Sequence, residues 1–61
     1  MDNTIVKYPM GDGMIYLFVV TMTSNNMIHG LVIHSESERT PVGTTLIINP
    51  IDVEPTNIEF K

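Results

Sequence analysis

Met14 to Ser35 read MIYLFVVTMTSNNMIHGLVIHS, two β-rich runs on either side of Ser24-Asn25-Asn26. Val, Ile, Thr, Tyr and Phe fit a pleated, half-buried surface, and the first run is built largely from them. Side chains alternate along a strand, so Met14, Tyr16, Phe18, Val20 and Met22 share one face. Ile15, Leu17, Val19, Thr21 and Thr23 share the other. Both faces are apolar at the start, and the second turns to threonine near the tip. That pattern suits a strand covered on both sides at one end, as in a strongly bent sheet or a small closed barrel. A helix fails here, because the run has no N-cap pattern and its apolar residues fill every helical direction. A membrane helix fails as well, since it needs about 20 consecutive apolar residues.

The turn sets the register. Asparagine tolerates positive φ better than other non-glycine residues, so Asn25-Asn26 is read as a two-residue type I′ turn. Ser24 then faces Met27, Val20 faces Leu31 and Phe18 faces Ile33. The opposite face takes Ile28, Val32 and His34, with Gly30 across from Thr21. A slip by one residue would lose the apolar match. Gly30 inside a strand marks a bulge, a bend or a close backbone approach.

The totals narrow the choices further. A chain of 61 residues holds one domain, spanning 1–61, and one small core. Such a domain has marginal stability as a monomer, and an open strand edge invites a second copy. With no cysteine there is neither a disulfide framework nor a thiolate metal site. Nothing before Met14 resembles a signal peptide, so a cytoplasmic protein is expected. Seven acids oppose three bases, for a formal charge of −4. Gripping a duplex takes several lysines and arginines, so this balance counts against nucleic-acid binding.

Either side of the hairpin the pattern stays β. Thr4 to Tyr8 forms a first strand that Pro9 ends, because proline has no N–H for a ladder. Met10-Gly11-Asp12-Gly13 is a turn, and no helix follows it to make a phosphate cradle. Ser35 to Gly43 is the longest polar segment, an exposed connection of the kind that is often mobile. Thr44 to Asn49 is a strand with Leu46 and Ile48 on one face and Ile47 on the other, stopped by Pro50. Ile51 to Glu54 alternates as a short extended piece, Pro55 breaks it, and Asn57 to Phe60 resumes with Ile58 and Phe60 inward. The fold class is all-β: a five-stranded antiparallel meander, or six-stranded if Ile51 to Glu54 counts. Around the 14–35 hairpin it forms either an SH3-like barrel or a strongly bent sheet, with an open five-stranded antiparallel sheet that pairs with a second copy as the alternative.

Chemistry is sparse. His29 and His34 point to opposite faces of one strand, so they do not chelate one ion unless a bulge resets the alternation. His34 and Glu36 share a parity and pair only if the strand runs that far. Ser35 beside His34 points the other way, so the two form no nucleophile–base dyad. Asp52 and Glu54 share a face but lie between prolines, as a surface pair does. Met14, Met22 and Met27 fall on the Phe18 face as core filling, and Met10, in a turn, is the most exposed methionine. No catalytic residue, metal ligand or cofactor site emerges, and the expectation is a non-enzyme that needs no cofactor.

Gly30-Leu31-Val32-Ile33-His34-Ser35 and Pro41-Val42-Gly43, with an acidic loop between them, resemble short uncharacterised proteins of bacteriophages and mobile elements. The resemblance covers about a quarter of the chain. It implies a small β domain that binds a host protein. The expected function is therefore protein interaction, with inhibition of that host protein as one form of it. A self-associating subunit, as a homodimer or ring, is the first alternative, and a small-barrel nucleic-acid binder the second. The contact surface is expected on the loop carrying Glu36, Glu38 and Arg39 and on the acidic segment with Asp52, Glu54 and Glu59. Arg39 is the residue there with hot-spot chemistry.

Overall fold

The computed structural model describes residues 4 to 59, so the inward placement expected of Phe60 lies outside the described residues. Strands β1 (Thr4–Met10), β2 (Gly13–Met22), β3 (Ile28–Ser35), β4 (Thr45–Ile48) and β5 (Glu54–Glu59) follow in order, with a single 3-10 turn at Pro50–Asp52. They form one antiparallel sheet in the order β4-β3-β2-β1-β5. The first four strands run as a meander, and β5 returns to pair with β1. β4 and β5 remain as edges, so the sheet is open. Among the described residues no helix is long and apolar enough to cross a membrane.

The central hairpin is present, but its turn differs from the two-residue reading. Thr23 donates its N–H to the Met27 carbonyl at 2.8 Å, and Asn26 donates to the Thr23 carbonyl at 3.0 Å. Only Asn26 has positive φ, at 62°. A type I′ turn needs positive φ at both central positions; one left-handed residue closing a three-residue loop is the next commonest hairpin. Thr23 Oγ1 supports this loop by accepting the Met27 N–H at 3.1 Å. Two glycine substitutions separate the turn types. Asn26→Gly should raise stability by about 0.5 kcal/mol, and Asn25→Gly should lower it by a similar amount, because glycine helps only where φ is positive. Paired urea melts check this. In a type I′ turn both changes would stabilise.

The register moves with the turn. Phe18 lies opposite Leu31, Leu17 opposite Val32 and Val19 opposite Gly30, in place of Phe18 opposite Ile33. Two shifts leave Val20 and Ile33 without partners across the ladder. Each extra residue bends its strand and flips the alternation beyond it. Past Val20, Met22 therefore packs against the core rather than sharing the Phe18 face. Past Ile33, His34 lies opposite Tyr16 and its ring meets the Tyr16 ring edge-on, 5.5 Å between centroids. The two histidines thus stand on one face, not opposite faces, yet five residues of strand hold them about 16 Å apart.

The core lies on one side of the sheet. Val6, Ile15, Leu17, Val19, Ile28, Val32 and Ile48 are buried there, with Tyr8, Met10, Met22, Leu46 and Val53 packed around them. Leu46 and Ile48 face inward and Ile47 outward, 63% exposed. Met10 ends β1 against this core, not in an exposed turn. Gly30 is a close approach: a Cβ there would sit 3.1 Å from Leu17 Cδ2 and 3.2 Å from Leu17 Cβ.

The prolines behave differently from the reading above. Pro9 sits inside β1 opposite Met14, and Pro55 sits inside β5 opposite Val6. β1 pairs with β5 only as far as Lys7, so Pro9 needs no second partner, and Pro55 is on an edge strand, where a missing N–H is tolerated. Pro50 starts the 3-10 turn instead, and Asn49 Oδ1 caps it by accepting the Ile51 N–H at 3.0 Å. Ile51 and Asp52 are thus part of that turn rather than an extended piece.

The polar connection is mostly exposed but pinned. Glu36 donates its N–H to the Met14 carbonyl and Gly43 to the Val32 carbonyl, both at 2.9 Å. Pro41 to Thr44 closes as a turn, the Thr44 N–H donating to the Pro41 carbonyl at 3.2 Å. Ser37 and Thr40 are buried beneath it.

Candidate functional site

The sheet has a second apolar face, opposite the core. On β1 the alternation sends Val6, Tyr8 and Met10 to the core and Ile5 and Lys7 to the other side. Ile5 is only 3% exposed, yet it stands outside the main core cluster. Around it, Tyr16 and Ile33 are half-buried on neighbouring strands, and Ile58 on β5 is 50% exposed. Together with His34 and Glu36 these residues line an open groove of about 290 Å³. Four strands contribute its apolar floor. Among the described residues no further element packs over it.

Ile58 reaches the groove through an irregularity in β5. Thr4 pairs with Glu59 and Val6 with Pro55, which leaves Thr56, Asn57 and Ile58 opposite the single residue Ile5. Thr56 fills the gap in the ladder. Its hydroxyl donates to the Ile5 carbonyl at 2.7 Å and accepts the Ile58 N–H at 3.2 Å. Ile58 consequently points over the groove, not into the core as its alternation with Glu59 suggested.

The polar rim is built from the end of β3. The Tyr16–His34 ring contact holds the imidazole at one wall. Glu36 follows, and its carboxylate Oε1 accepts the Met14 N–H at 3.3 Å. The parity shared by His34 and Glu36 brings both to the groove, but no hydrogen bond or ion pair joins them. Glu36 has no cationic partner among the described residues.

A second polar cluster lies where the β1–β2 turn meets the connection after β3. Asp12 there is held below the usual 3.8 of an aspartate, first by the Ser37 hydroxyl and then by its own backbone N–H, the Arg39 guanidinium and the Glu38 backbone. Slight burial opposes this. Ser37 Oγ is buried and makes no well-formed hydrogen bond, so its contact with Asp12 is a loose polar one. Gly13 marks how tightly the loops meet. With φ at 153°, a Cβ on it would lie 2.7 Å from the Glu36 carbonyl oxygen.

The six residues expected to bind a partner do not form one patch. Glu36 lines the groove, while Glu38 and Arg39 are exposed on the neighbouring loop beside Asp12. Asp52 is exposed on the 3-10 turn, and Glu54 starts β5 opposite Lys7. The Glu59 backbone pairs with Thr4; its side chain is outside what the structure describes. Tyr16, Ile33, Ile5 and Ile58 were not expected to form a site. Their signal was present in the apolarity of both faces of β2, of which a single core covers only one. No group of three or more metal-binding side chains comes together among the described residues. Comparison with protein-family models, with curated proteins and with solved structures finds no match to this chain.

Proposed function

We propose that this chain is a small protein-interaction module, of phage or mobile-element type, that acts in the cytoplasm without catalysis by binding another protein. One observation carries the proposal. A chain of 61 residues leaves an apolar groove, floored by four strands, on the face opposite its core. Uncovered apolar surface costs solubility in so small a domain unless something covers it. The last strand's place beside the first, and the bulges that bend β2 and β3, favour a partly open SH3-like barrel, its edges β4 and β5 unjoined, as the finer description. Glu36 ties the groove to the acidic loop, where Glu38 and Arg39 extend the contact.

Self-association is the second reading, favoured by edge strand β4 and its exposed Ile47. A tagged chain in nuclease-treated native lysate separates the two, with Ile58→Asp run alongside. A single stoichiometric protein, retained by the wild type and lost from the variant, is the expected result. Recovery of bait alone, at a multiple of its own mass, would replace the module with a self-assembling subunit.

A further inference from the structure

Given the interaction reading above, the chemistry of the groove narrows what it takes. We infer that its occupant is a segment of another protein in which apolar side chains flank a lysine or arginine. The apolar side chains would rest on Tyr16, Ile33 and Ile58, and the cation would meet Glu36.

The argument starts with size. About 290 Å³ stands at the lower end of the range for small-molecule pockets, and the groove is open rather than enclosed, so it suits a few side chains. Apolar anchors are required, because Ile5, Ile33 and Ile58 present no hydrogen-bonding groups. Charge decides the rest. The Glu36 carboxylate stands on the rim with no cation among the described residues, and the Met14 N–H takes only one of its oxygens. Its orientation is set in advance, since the Glu36 backbone N–H is itself bound to the Met14 carbonyl. A carboxylate tethered beside an apolar floor, with no cation beside it among the described residues, favours an incoming cation, and charge-assisted hydrogen bonds are the strong ones. A second copy of this chain is disfavoured on the same ground. Each copy carries a formal charge of −4, and a face-to-face pair would bring two Glu36 rims into one apolar contact.

The experiment pans a random linear dodecapeptide display library on the purified chain, then measures synthetic winners by titration and by backbone amide shifts. Enriched sequences should carry a lysine or arginine next to apolar residues, with amide shifts centred on Tyr16, Ile33 and Ile58. Glu36→Gln keeps an acceptor for the Met14 N–H but removes the charge, and should weaken binding about tenfold. Asp52→Asn, on the exposed 3-10 turn and outside the groove lining, should leave it within about twofold. Ile58→Asp should abolish it, with circular dichroism confirming that the sheet persists.

If winners lack a cation, or bind Glu36→Gln as tightly as wild type while Ile58→Asp still blocks them, the inferred chemistry is wrong and the interaction module stands. If nothing is enriched and the chain sediments as a dimer that Ile58→Asp splits, the occupant is a second copy. If nothing is enriched, the chain is monomeric, and no lysate protein depends on Ile58, both readings fail.

Discussion

Leu17→Ala should destabilise the fold by about 3 kcal/mol, the middle of the range for a fully buried leucine. Leu17 has no exposed surface and lies at the centre of the core, opposite Val6 on one side and Val32 on the other. A domain of this size rarely holds more than about 3–5 kcal/mol in total, so the variant should be largely unfolded at 37 °C. The informative measurement is a double-mutant cycle with Gly30. Alone, Gly30→Ala puts a Cβ 3.1 Å from Leu17 Cδ2, which forces the leucine to shift and costs about 1 kcal/mol. After Leu17→Ala the nearest crowding atom, Cδ2, is gone; the Cβ at 3.2 Å stays, but it can now shift into the cavity that the lost atoms leave. The double variant should therefore be at least about 0.5 kcal/mol more stable than the sum of the single changes predicts. Urea midpoints for the four proteins test this. Additive losses would mean that the two residues do not share the packing contact described above.

Gly13→Ala should cost about 2 kcal/mol, from backbone strain at φ 153° and a Cβ placed 2.7 Å from the Glu36 carbonyl oxygen. The obstacle is backbone, and two hydrogen bonds to Met14 pin it, so the cheap escape of rotating a side chain is absent. At roughly 4–8 °C per kcal/mol for a domain of this size, the melting temperature should fall by about 10 °C. Gly11→Ala is the control. A Cβ there meets nothing within 4 Å, and its φ is not positive, so the change should stay within about 0.5 kcal/mol. The fraction of Gly13→Ala that remains folded should also bind groove peptides more weakly, because displacing Glu36 moves the rim carboxylate. Normal binding with reduced stability would uncouple that loop contact from the groove.

Much of this molecule is local and could be read from the chain. Alternation and β-branching along Met14 to Thr23 and Ile28 to Ser35 identify the hairpin, because side-chain direction follows from the backbone repeat of two. The same repeat put Leu46 and Ile48 on one face and Ile47 on the other, and Gly30 was legible as a bulge, a bend or a close approach, of which the packing on Leu17 shows the last. What misled was anything that interrupts the repeat. Bulges at Val20 and Ile33 cost little locally and are selected by how the sheet must bend, so Met22 and His34 changed faces without any marker in the residues around them. Pro9 and Pro55 stop a strand only if both its edges are paired, and which edges are paired depends on β5 returning to β1 from the far end of the chain. The groove is the clearest case. Tyr16, Phe18, Leu31 and Ile33 announce a second apolar face, but that face is a groove rather than a second core because the sheet stays open and no described element crosses it. Long-range pairing decides that, and no short stretch of residues encodes it.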